Sequence, residues 1–192
     1  MKILCKYLGG SHSYGLNTAE SDEDIRYVFN NTEPKYILGL EKREFIDERG
    51  EETDEFGSEI KHFLAGLRKS NTQAIEALFL PEEQFDILDP VFKKLILDNK
   101  QLLINPASLY SCLRGYMQGE LRLANGERQG KLGGKRKAQL EKYDFSPKNY
   151  VNLFRLAHCG IRFFKQHDFG VNISKTDPEL AKTLLSLKTE PE

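Results

Sequence analysis

The sequence predicts an α+β fold: a strand-and-helix region over about residues 1–85, then an all-helical domain over about residues 90–192. Three observations carry this. "KILCKYL" and "DIRYVFN" are short, rich in apolar and aromatic residues, and bounded by turn residues, so both read as strands. In "EIKHFLAGLRKS" the period changes, and Ile60, Phe63, Leu64 and Leu67 fall at helical spacing. Farther on, four prolines directly follow Asp, Asn or Ser, at Asp89-Pro90, Asn105-Pro106, Ser146-Pro147 and Asp177-Pro178. A capping oxygen ahead of a proline at the first helical position is a start signal with two independent causes.

Taken in order, the first strand runs into the turn "LGGSHSYG", and the second strand opens on two aspartates. "EFIDERGEETDEF" reads as a hairpin, with a Gly50-centred turn between charged, alternating arms. After the helix from Ile60, Asn71 is placed to cap a short helix whose Ile75, Leu78 and Phe79 form an apolar face ending at Pro81. Helices then start near residues 90, 106, 147 and 178. The one from 147 is long, with Tyr150, Val151, Phe154, Ile161 and Phe164 available for burial. Between 125 and 137, "NGERQGKLGGKRK" combines four glycines with five Lys/Arg, which predicts a mobile loop.

Composition narrows the setting. The chain has 192 residues, 39% of them hydrophobic, enough for a sizeable core. Charged residues nearly cancel to −1, so bulk charge gives no evidence for nucleic-acid binding, although a local basic patch stays open. No apolar run approaches the roughly 18 residues of a membrane span, and the N-terminus lacks a signal-peptide pattern. Cys5, Cys112 and Cys159 are dispersed without metal-ligand spacing, as expected of reduced thiols in a cytoplasmic protein.

The chemistry concentrates in "GGSHSYGLNTAESDED". Asp22 and Asp24 stand at i and i+2 where a strand begins, a spacing that puts both on one face. Two carboxylates so placed repel unless a cation lies between them, and hard oxygen ligands beside phosphates suit Mg²⁺. Ahead of them, Gly10 and Ser11 lie in a turn whose successive N–H groups suit phosphate oxygens. Arg26 follows Asp24 on the same face and can pair with a carboxylate or a phosphate.

"GSHSYGLNTAESDEDIRYV" resembles the signature of polymerase-beta-like nucleotidyltransferases, closest to a bacterial and phage group that includes RNA-repair-associated members. "DEFGSEIKHFLAGLRKSNTQAIEALFLP" and "GKRKAQLEKYDFSPKNYVNLFRL" are similar to that group's second and third blocks. The resemblance implies a small mixed-sheet nucleotidyltransferase core with flanking helices, followed by the helical domain. It implies transfer of a nucleoside monophosphate from an NTP such as ATP to an acceptor hydroxyl, with Mg²⁺ or Mn²⁺ as cofactor, and RNA or another polynucleotide as acceptor in RNA repair. It also implies a third carboxylate beside Asp22 and Asp24. Block alignment puts it on Asp54, with Glu52 and Glu55 a short register slip away. For the nucleotide it implies Gly10, Ser11, Arg26, Lys61, Lys148 and Arg155, with Lys135 and Arg136 in the basic loop. Glu76, on a mostly apolar helix, is expected to have a buried partner such as Arg or Lys rather than a metal. Tyr150 and Asn152 depart from the third block, where a small residue and His are usual. Two further readings stay open: transfer to a protein or small molecule, and a nucleotide-binding module without turnover.

Overall fold

The computed structural model describes residues 1–50, 53–127 and 141–190. Glu52, Lys135, Arg136 and most of the predicted loop at 125–137 lie outside the described residues. The chain forms two compact units, Met1–Asn105 and Pro106–Glu192.

The first unit is built on a five-stranded sheet in the order β3-β4-β2-β1-β5. Its strands are β1 (Lys2–Leu8), β2 (Glu23–Asn30), β3 (Phe45–Arg49), β4 (Thr53–Glu59) and β5 (Phe85–Leu88). The β2–β4 pair is parallel and the others are antiparallel, so the sheet is mixed, as expected. β1 leads into a five-residue helix, α1 (Gly10–Tyr14), where the sequence suggested only a turn. After α2 (Pro34–Ile37) the chain makes the β3–β4 hairpin, and the Gly50 amide donates to the Thr53 carbonyl across its turn. α3 (Ile60–Arg68) follows β4 directly, and Glu59 caps it by accepting from the Lys61 amide. α4 (Thr72–Leu78) is capped by Asn71 as expected, its side chain accepting from the Ala74 amide at 3.2 Å. Cys5, Leu16, Phe29, Leu67, Ile75 and Leu78 are sealed from solvent in the core. Burial pushes the Cys5 thiol up to about 12, so it packs as an inert apolar group. The helix expected near 90 is brief: α5 (Pro90–Phe92) passes at once into wider turns at Lys93–Leu97.

The second unit contains α6 (Pro106–Ala124), α7 (Pro147–Gln166), α8 (Ile173–Thr176) and α9 (Pro178–Thr189). α6 packs on α7 at Gly160, where an added Cβ would come within 3.1 Å of Leu113. The buried stripe of α7 is Val151, Leu156, Cys159 and Phe163, whereas Phe154, Ile161 and Phe164 are exposed. Apolar spacing on a 20-residue helix allowed two stripes, and the small residue at 160 selects the one that meets α6. Ser146 precedes Pro147 but does not cap with its side chain; its hydroxyl donates to Asn149 Oδ1 at 2.6 Å instead. Asn149 in turn donates to the buried Glu120 at 2.7 Å, which satisfies a polar group between the two helices. Among the described residues no helix is long and apolar enough to cross a membrane.

Candidate active site

The site is a row across one end of the sheet. In the parallel β2–β4 pair, Asp24 is the register partner of Asp54. Neighbouring strands lie about 4.8 Å apart and partnered residues share a face, so the two carboxylates stand side by side. Glu55 is one residue on. It pairs with Ile25 and Glu48 on the opposite face, where with Glu48 it helps burial hold the Tyr27 hydroxyl above its ordinary value. The row thus separates Asp54 from Glu55 by the alternation of a strand.

On the other side of Asp24 comes the glycine turn. The Gly9 amide donates to the Asp24 carbonyl at 2.7 Å, tying the end of β1 to the start of β2. Gly10 has φ +57, and a Cβ there would run into the Asp24 carboxylate. This position therefore needs glycine twice over: for its backbone and for its closeness to a charge. Ser11 follows in the first turn of α1, where amides have no partner within the helix. Asp22 is exposed and sits just before β2, two residues ahead of Asp24. Arg26 Nη2 donates to Asp24 Oδ1 at 3.4 Å, and its guanidinium lies over the Phe56 ring, 5.4 Å from the centroid.

Three neighbours were not singled out as site residues from sequence. Arg49 on β3 is the register partner of Asp54. Its guanidinium is held above its ordinary value by hydrogen bonds to Asp47, by the charge of Asp47 and by that of Asp54. Behind the row, the Tyr14 hydroxyl donates to the buried Glu76 at 2.9 Å, linking α1 to α4. Tyr7 lies between charges there: burial, Cys5 and Glu76 push its hydroxyl up, and Arg26 pulls it down. Only the strand register could have pointed to Arg49, and a contact 62 residues apart leaves no local signal for the Tyr14–Glu76 pair.

Of the remaining expected residues, one belongs to the first unit and two to the second. Lys61 is exposed beyond the far end of β4, so about 16 Å of strand separates its helix start from Asp54. Lys148 and Arg155 belong to α7 in the second unit. Lys148 is exposed and close enough to Lys188 to help burial hold that ammonium below its ordinary value. Arg155 is buried.

Among the described residues no three His, Cys, Asp or Glu side chains converge on one point as a ready-made metal cage. The donors nonetheless fit a hard divalent ion. Mg²⁺ is usually held by one or two carboxylates, with waters and substrate phosphates completing its shell. Asp24 and Asp54, with Asp22 two residues ahead, would supply the carboxylates, and waters with a phosphate against Gly10 and Ser11 the rest.

The mixed sheet, with a glycine turn set against an aspartate pair, agrees with the polymerase-beta-like nucleotidyltransferase core that the sequence resemblance implies. The family model for RlaP, the RNA repair pathway DNA polymerase beta family, matches residues 1–151, and the chain belongs to that family. The family implies a nucleotidyltransferase role in RNA repair. No curated protein and no solved structure matches the chain.

Proposed function

We propose that this protein is a metal-dependent nucleotidyltransferase that moves a nucleoside monophosphate from an NTP to an acceptor hydroxyl, with an RNA end as acceptor. The observation that carries this reading is the row of Gly10, Asp24 and Asp54, in which a glycine turn lies directly against one of two register-paired carboxylates. The Gly10 and Ser11 amides and the Ser11 hydroxyl would hold the β- and γ-phosphates. Asp22, Asp24 and Asp54 would hold Mg²⁺ or Mn²⁺. When bound, the ions neutralise charge on the attacking and leaving oxygens of an in-line displacement. The acceptor oxygen bonds to the α-phosphorus, the bond to the β-phosphate oxygen breaks, and pyrophosphate leaves as the acceptor proton passes to solvent. In such chemistry most of the rate comes from positioning and charge neutralisation. Arg26 would hold Asp24 in place until substrate arrives, then share its charge with phosphate.

The test is a transfer screen with each α-labelled NTP, Mg²⁺ or Mn²⁺, and pooled RNA and DNA oligonucleotides. Label on RNA that vanishes in Asp24→Asn supports the reading. Label on protein or a small molecule would replace the acceptor, and metal-dependent NTP binding without transfer would leave a nucleotide-binding module.

A further inference from the structure

The face that carries Asp24 and Asp54 continues into an open cavity of about 130 Å³ between the sheet and helices α3 and α4. Its floor begins at the next same-face pair along β2 and β4, Arg26 with Phe56, roughly 7 Å from the aspartates. Tyr7 continues that row on β1 as the register partner of Arg26. Ser58 follows Phe56 on the floor, while Gln73 and Ala74 line the helical side.

We propose that this cavity receives a nucleobase and that Gln73 reads its edge; the proposal rests on the nucleotidyltransferase reading above. The cavity is too small for a whole nucleotide, since sites for complete ligands run to about 300 Å³ or more. It suits one flat ring system. Phe56, with the Arg26 guanidinium over it, and Tyr7 supply aromatic rings to its lining. The Gln73 amide makes no hydrogen bond among the described residues, so its donor and its acceptor are both available. Ser58 Oγ spends itself only on a long 3.5 Å contact with the Glu59 carbonyl. A phosphate would find Arg26, already turned toward Asp24, and His62, whose ring faces Glu44, and an aliphatic group would leave the amide unused. The base could belong to the incoming NTP or to the terminal nucleotide of the acceptor.

The test uses the whole chain and the four unphosphorylated nucleosides without metal, followed by amide chemical shifts. One nucleoside should move the resonances of Phe56, Ser58 and Gln73 more than the other three do. Gln73→Leu, at an exposed position, should weaken that nucleoside about tenfold and level the four. Ala74→Phe should fill the cavity and abolish the effect. In transfer assays, a Gln73→Leu change in KM for the NTP assigns the base to the nucleotide; altered preference for the acceptor's terminal base assigns it to the acceptor. Transfer that proceeds with no nucleoside shifting these residues overturns the inference and leaves the function intact. Nucleoside binding here without transfer to any acceptor keeps the pocket and overturns the function.

Discussion

Gly10 and Asp24 show how much one residue decides. Any side chain at 10 meets the Asp24 carboxylate from a left-handed backbone, so Gly10→Ala strains the turn and displaces the charge together. We expect kcat/KM for transfer to fall at least about 100-fold, roughly 2.7 kcal/mol of barrier, with the circular dichroism unchanged. Arg49 stands next to Asp54 on the side away from the glycine turn, so under the proposed function it would meet the acceptor. Arg49→Ala should raise KM for a polynucleotide acceptor several-fold and leave KM for NTP unchanged in steady-state kinetics. Tyr14→Phe removes one donor from the buried Glu76 and should cost about 1–2 kcal/mol in urea unfolding. At this scale Asp22 with Asp24 and the Gly-Ser turn were legible in the sequence because their spacing is local. Arg49 and the Tyr14–Glu76 pair were not, because they meet only through pairing between segments distant in the chain.

Elements follow rules that the sequence states openly at their ends and poorly in between. Asp89 and Asp177 cap their helices with side-chain oxygens, as their place before proline predicts. Ser146 does not, because a neighbouring Asn149 offers its hydroxyl a buried acceptor. Edge strand β5 was missed because four residues, half of them exposed, carry too short an alternation to read. Asn71→Ala should cost about 1 kcal/mol, measured by thermal unfolding, since it removes the α4 cap. Asp89 offers a pH test. Lys2, 2.6 Å away, and then the Phe92 amide hold its carboxyl below the ordinary value. A carboxyl whose folded pKa is depressed stabilises the fold above its unfolded pKa, and that contribution fades as pH falls through the folded one. Asp89→Asn keeps a capping oxygen and loses the charge. It should therefore be less stable than wild type at pH 7, with the gap closing below about pH 4 in denaturant titrations.

At the scale of the whole molecule, the carboxylate row, the glycine turn and the cavity all lie in the first unit, Met1–Asn105. The family match runs on to residue 151, through α6 and into the start of α7. The division into strand-rich and helical halves was legible because hydrophobic period and proline placement change along the chain. The block resemblance put the third carboxylate on Asp54, but pattern alone left Glu55 one residue away, and only the β2–β4 register sets Asp54 beside Asp24. The central claim is that Asp24 and Asp54 together form the catalytic carboxylate pair. The most direct test compares Mg²⁺-dependent label transfer from α-labelled NTP in wild type, Asp24→Asn, Asp54→Asn and Glu55→Gln. Losses of about 1000-fold or more in both aspartate variants, with Glu55→Gln within about threefold of wild type, are the predicted result. Full activity in Asp54→Asn, or its loss in Glu55→Gln, would contradict the account.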